Sequence, residues 1–257
     1  MTTSPRGEAA DSASARYQPG DRVALFMPCY MDQFYPEAGE AVARVLKARD
    51  IAYDFPDEQT CCGQPAFNSG YWDEARRVVR HFADVFRPYK WIVCPSGSCT
   101  AMCRSFFGHL ESDPAVVDVG ARVFELTEFL VDVLGVTDVG AVFPKRVALH
   151  VGCHTRRELG VFEQPERLLR SVKGLEYQEI PDVTDCCGFG GTFSVKVPEV
   201  SLSMGKAKAE NIIRSGAEVL TSTDTSCLMH LSGIIRRTPG GESIRMCHIA
   251  EVLAAKG

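Results

Sequence analysis

Arg22-Val-Ala-Leu-Phe-Met-Pro-Cys29 and Arg146-Val-Ala-Leu-His-Val-Gly-Cys153 open in the same way and both end on cysteine. Each is a short, mostly apolar run, the pattern of a parallel strand buried on both faces. Working outward, the correspondence continues. Cys61-Cys62-Gly63-Gln64 is matched by Cys186-Cys187-Gly188-Phe189, and Ser98-Cys99 by Ser226-Cys227. The copies close with Leu126-Thr-Glu-Phe-Leu-Val-Asp-Val-Leu134 and His248-Ile-Ala-Glu-Val-Leu253. The offsets are 124 from Cys29 to Cys153, 125 from Cys61 to Cys186, 128 from Cys99 to Cys227 and 123 from Glu128 to Glu251. Near-constant offsets at four landmarks identify an internal duplication.

Within each copy the local patterns alternate. Ala38, Val42, Val45 and Leu46 fall on one helical face, and Ile51–Phe55 follows as a strand candidate. Ala75, Val78, Val79, Phe82 and Phe86 mark a second helix, and Trp91–Cys94 a second buried strand. The later copy repeats this with Tyr177–Ile180, a helix over Met204–Arg214 and a strand over Glu218–Thr221. Such alternation predicts an α/β protein of two similar three-layer βα modules, pseudo-two-fold related, with mostly parallel sheets and right-handed crossovers. The expected division is a disordered tail over 1–20, a first module over 21–140 and a second over 141–257. In parallel sheets the site lies beyond the carboxyl ends of the strands. Cys29, Cys99, Cys153 and Cys227 all fall there, so each pair is expected to meet its own Cys-Cys-Gly loop.

Composition narrows the function. The chain has 257 residues, 45% hydrophobic and 24% charged, enough for a core that needs no disulfide staples. Its 11 cysteines therefore read as ligands or redox groups in a reducing, cytoplasmic compartment. The N-terminus lacks the apolar core of a signal peptide, and no run is long enough to span a membrane. A net charge of −5 argues against nucleic acid as partner. No Gly-x-Gly-x-x-Gly follows a strand and no Walker loop is present, so a nucleotide or flavin site is not expected.

Each copy supplies four thiols: Cys29, Cys61, Cys62 and Cys99, then Cys153, Cys186, Cys187 and Cys227. Four thiolates are the usual donor set of an iron–sulphur cluster. Adjacent cysteines are unusual in zinc knuckles but can grip different irons of a bulky cluster. Gly63 and Gly188 permit positive φ beside the cofactor, and Gly188-Phe-Gly190-Gly191 offers N–H groups for an anionic body. One or two clusters per chain are expected, with no catalytic residue identified. Two alternatives stay open: a zinc-binding structural protein, and a metal-free dithiol oxidoreductase using Cys61-Cys62 or Cys186-Cys187. Cys94 and Cys247 read as core, and Cys103 lies one helical turn after Cys99. His154, His230 and His248 read as ordinary surface or core histidines. Lys196, Lys206 and Lys208 read as a solvated helix face.

These residues resemble the cysteine-rich CCG-domain proteins, among them the cysteine-rich subunit of heterodisulfide reductase and the iron–sulphur subunit of glycolate oxidase. The resemblance is strongest to the lactate utilisation protein A family. It rests on Cys94-Pro-Ser-Gly-Ser-Cys99, Cys186-Cys-Gly-Phe-Gly-Gly-Thr-Phe-Ser-Val-Lys196 and Asp224-Thr-Ser-Cys-Leu-Met-His230. It implies an iron–sulphur electron-transfer subunit of a complex that oxidises L-lactate to pyruvate with other subunits. The four matched cysteines per half suit a cubane-type 4Fe–4S cluster as well as the wider group's non-cubane one, and the cluster type stays open. One departure stands out. The wider pattern ends each module in Cys-x-x-Cys, whereas this chain has Ser96 and Asp224 at the earlier position.

Overall fold

The computed structural model describes residues 17–257; residues 1–16, most of the expected tail, lie outside the described residues. At the start of the described chain, the Tyr17 ring packs against Trp91 and Phe129 at 6.1 and 5.9 Å.

The first half forms β1 (Val23–Leu25), β2 (Tyr53–Asp54), β3 (Trp91–Cys94) and β4 (Val123–Glu125), side by side in the order β2-β1-β3-β4. The second half forms β5 (Arg146–His150), β6 (Glu176–Gln178), β7 (Val219–Ser222) and β8 (Arg245–His248), in the order β6-β5-β7-β8. All pairs are parallel, and Val23 faces Tyr53 and Trp91 as Val147 faces Tyr177 and Val219. The duplication read from the sequence is thus two copies of one α/β sheet. β1, β3 and β7 are buried throughout because helices cover both faces, and β1 and β3 are wholly apolar, whereas edge strands β2 and β6 are more polar and only partly buried.

β4 and β8 were not anticipated. They are only three and four residues long, carry Glu125, Arg245 and His248, and turn directly into helices. The helices expected over Ala38–Leu46 and Ala75–Phe86 are Pro36–Lys47 and Trp72–Phe86; the one expected over Met204–Arg214 starts earlier, at Pro198.

The halves meet reciprocally, as a pseudo-two-fold requires. The closing helix Ile249–Leu253 packs on Pro36–Lys47 of the first half. The equivalent segment of the first half, Leu126–Glu128 continued by the wide turn Phe129–Val133, packs on Glu163–Arg170 of the second. Between the sheets one core joins Val23, Leu25 and Leu126 to Val147, Leu149 and Val252. The outer face of the first sheet is aromatic, with Phe26, Phe82, Phe86 and Phe107, and that of the second aliphatic, with Ile212, Leu220, Leu231 and Ile235. Among the described residues no helix is long and apolar enough to cross a membrane.

Candidate metal centre

In the order β2-β1-β3-β4 the direction of winding reverses between β1 and β3. A crevice opens beyond the carboxyl ends of those two strands, where α/β sheets place their ligands. Cys29 starts the helix Cys29–Phe34 just past β1, and Cys99 lies in the helix Gly97–Ala101 just past β3. The same reversal between β5 and β7 places Cys153 at the start of Cys153–Arg157 and Cys227 within Thr225–Ile235.

Each Cys-Cys-Gly loop reaches in from beyond the edge strand. In the first half Cys29 Sγ lies 3.8 Å from Cys61 Sγ, and Cys62 Sγ 3.4 Å from Cys99 Sγ. In the second half Cys187 Sγ lies 3.3 Å from Cys227 Sγ, and Cys153 donates to Cys186. The adjacent cysteines therefore face different partners, and each half presents a continuous array of four sulphurs. The electrostatics repeat as well. Cys29 donates its S–H to Cys61, which holds Cys61 well below the ordinary thiol range; Cys153 does the same for Cys186. The Gly63 and Gly188 N–H groups donate to Cys61 and Cys186, both at 3.4 Å, and the Phe189 N–H to Cys187 at 3.5 Å. Cys62 and Cys187 are pushed up, first because each donates to its neighbour and then by burial. In each array the surrounding S–H and N–H donors thus stabilise a thiolate, at Cys61 and at Cys186, while the donating thiols keep their protons.

Gly63 and Gly188 turn the loops at φ of +85° and +86°, a region that L side chains rarely adopt. Gly190 and Gly191 also have positive φ. They build a tight turn, accepting from Phe193 and Ser194 N–H at 3.3 Å each.

The departures from the wider cysteine pattern turn out to face one another. Asp224, 1% exposed, stands before the helix Thr225–Ile235 without capping it, because its carboxylate is turned across the interface. Oδ1 accepts from Ser96 Oγ at 2.7 Å, Ser98 Oγ at 2.7 Å and Ser98 N at 3.1 Å; Oδ2 accepts from Thr155 Oγ1 at 3.2 Å. Burial raises the Asp224 pKa against these hydrogen bonds. The loops touch so closely that a Cβ on Gly97 would lie 1.8 Å from Thr155 Oγ1. Tyr30 of the first half meets Phe189 of the second loop edge-on at 5.7 Å. Both sulphur arrays therefore flank the interface.

Other candidates sort themselves. Cys94 is buried at the end of β3, donating to Ser96 O at 3.6 Å and leaning on Cys99. Cys103 is buried in the wide turn Met102–Phe106, packed in the aromatic core beside Cys99. Cys247 lies in the core between the sheets, and His248 caps the closing helix through Nδ1, as structural residues do. His154 Nδ1 is 3.9 Å from Cys153 Sγ, and the His230 ring packs on Phe189 at 5.9 Å. Lys208 overturns the solvated-face reading: it is fully buried, its Nζ donating to the Asp182 and Val183 carbonyls at 3.2 and 3.1 Å. His150 went unnoticed, although its signal stood in the strand that opens the second copy, a histidine in an apolar run where the first copy has Phe26.

The donor set suits a thiophilic metal group: soft sulphurs, a polarised thiolate in each array and N–H donors directed at sulphur. The model of the cysteine-rich CCG domain matches residues 23–104 and 147–232, one match per half. The chain is also 44% identical over 237 residues to lactate utilization protein A 1 of Bacillus mycoides, covering 90% of this chain and 96% of that protein. The chain belongs to the lactate utilization protein A family. Family members from Exiguobacterium sp. and Bacillus subtilis are 45% and 41% identical, across 90% and 91% of this chain and 96% and 100% of theirs. Among solved structures, glutamate racemase RacE1 from Bacillus anthracis overlaps 92% of this chain and 80% of its own at 11% identity and a TM-score of 0.36.

Proposed function

We propose that this chain is a cytoplasmic iron–sulphur electron-transfer subunit of a multi-subunit complex that oxidises L-lactate to pyruvate. The family relationship supports the lactate assignment; a solvent-accessible array of four sulphurs in each half supports the metal chemistry. The observation that carries the reading is the pairing of adjacent cysteines with different distant ones, Cys61 with Cys29 and Cys62 with Cys99. A vicinal disulfide would not require those distant cysteines; a polynuclear iron site does.

In this reading Cys29, Cys61, Cys62 and Cys99 hold one cluster, and Cys153, Cys186, Cys187 and Cys227 the other, within modules divided near residue 140. When bound, each cluster supplies a one-electron couple. The chain's own residues set the conditions. The N–H groups of Gly63, Gly188 and Phe189 stabilise negative charge on sulphur. Buried Cys62, Cys99 and Cys187 limit water access, while half-buried Cys29, Cys61, Cys153, Cys186 and Cys227 leave an open side toward redox partners. Asp224 and its serine and threonine donors lock the two arrays into one rigid body.

The test is a spectroelectrochemical titration of the anaerobically loaded chain. Reversible bleaching and recovery of the visible absorption is expected. L-Lactate should reduce the chain only in the presence of the other subunits of the complex. A loaded chain that cannot be cycled reversibly would overturn the electron-transfer role.

A further inference from the structure

The two halves match in fold but not in what surrounds the sulphurs. Strand pairing aligns β1 with β5 at an offset of 124. The loop glycines align the following helices. A Cβ on Gly63 would face Val78 and the Ala75 carbonyl, and one on Gly188 Met204 and the Ser201 carbonyl, an offset of 126. In these registers His150 replaces Phe26, and Lys208 replaces Phe82. Phe26 and Phe82 stack edge-to-face at 4.9 Å in the first half. At the same places the second half buries an imidazole and an ammonium, 1% and 0% exposed.

Lys208 has its two carbonyl partners, but His150 has none: neither ring nitrogen makes a hydrogen bond. A buried imidazole in that state has given up its hydrogen bonds to water without replacement, a loss that phenylalanine would not incur. Its ligand nitrogen and the sulphurs of Cys187 and Cys227 nevertheless lie within 4.8 Å of one another, a spacing that one metal ion can bridge. β5 ends on His150 and so delivers it to the same crevice as Cys153.

We propose that His150 is a metal ligand, binding iron in the second half beside Cys187 and Cys227. The second site is then a mixed nitrogen–sulphur centre, whereas the first, walled by Phe26 and Phe82, is held by thiolates alone. This rests on the cluster reading above and deepens it. A neutral imidazole among thiolates, with the Lys208 cation behind it, lowers the negative charge of the site, so the second centre has the higher reduction potential.

The test uses the full chain carrying Cys62→Ser, which removes the first site, with its histidines labelled with 15N. The protein is loaded anaerobically with ferrous iron and sulphide, reduced, and examined by pulsed EPR, with iron and sulphide measured on the same sample. A strong hyperfine coupling to a directly bound histidine nitrogen is expected, and it needs no histidine variant to fold. The coupling should vanish in His150→Phe and His150→Gln and persist in His154→Gln and His230→Gln. The potential should fall in both His150 variants. A loaded second site without that coupling, or a coupling that survives in a folded His150 variant, overturns His150 as ligand and leaves the cluster reading standing. Failure of the unsubstituted chain to take up iron and sulphide overturns the cluster reading, and the ligand with it.

Discussion

Replacing Asp224 with alanine removes the acceptor at the centre of the contact between the halves. Four donors lose their partner: two serine hydroxyls, the Ser98 N–H and the Thr155 hydroxyl. The hydroxyls of Ser96 and Ser98 are 3.2 Å apart and can re-pair with each other. The Ser98 N–H is fixed by the backbone and cannot. A hydrogen bond to a charged group contributes about 1.5–3 kcal/mol, and an orphaned buried donor costs about 1–3 kcal/mol. After the relief from no longer burying the carboxylate, Asp224→Ala should destabilise the chain by about 3–5 kcal/mol. Asp224→Asn, which keeps Oδ1 and can turn its amide toward the Thr155 hydroxyl, should lose only about 1 kcal/mol. Urea unfolding of the reduced, metal-free chain, followed by circular dichroism, separates this effect from metal binding. At a slope of about 3 kcal/mol/M the alanine midpoint should fall by about 1–1.7 M. An Asp224→Ala midpoint indistinguishable from that of the parent would refute the claim that this carboxylate joins the halves.

Three further outcomes follow from the geometry. Gly63→Ala meets no atom closer than 3.5 Å and suffers only its φ, about 1–2 kcal/mol, whereas the Gly188→Ala methyl would lie 2.4 Å from the Ser201 carbonyl. Gly188→Ala should therefore lose at least twice as much in Tm, and equal losses would contradict the loop geometry. Cys62→Ser and Cys187→Ser should each halve the bound iron, measured by elemental analysis after anaerobic loading; unchanged iron in both would sink the two-site assignment. Glu125 is buried with one oxygen unpaired, and burial pushes its pKa from 4.5 up to about 8. Between those values the native state holds the extra proton, so stability should fall as pH rises, by up to about 1.4 kcal/mol per unit. Glu125→Gln should flatten that slope in denaturation curves taken across the range, and an unchanged slope would exclude Glu125 as its source.

The duplication was legible because two copies of one fold kept their strands, loops and cysteines at fixed offsets. Apolar runs such as Trp91–Cys94 report burial on both faces of a parallel sheet, so the central strands could be read directly. β4 and β8 could not, since three or four residues ending in Glu125 or His248 show no strand period. The four thiols of each half were visible as residue types, but the pairing of Cys62 with Cys99 rather than Cys29 is set by how the loop enters from beyond β2. Asp224 showed in the sequence only as a missing cysteine. Its work is done across the interface, on Ser96 and Ser98, and no local pattern encodes that. Lys208 was misread because an amphipathic period does not reveal that the polar flank of its helix is covered by the Asp182–Val183 turn. His150 was legible and overlooked; comparing the two copies position by position would have exposed it.

The most direct test of the account is the count of iron and acid-labile sulphide on chain purified and loaded without oxygen. About eight irons with as much sulphide per chain, in a brown protein, is the result expected of two four-iron clusters. Zinc alone, or no uptake of iron and sulphide by a folded, fully reduced chain, would contradict it.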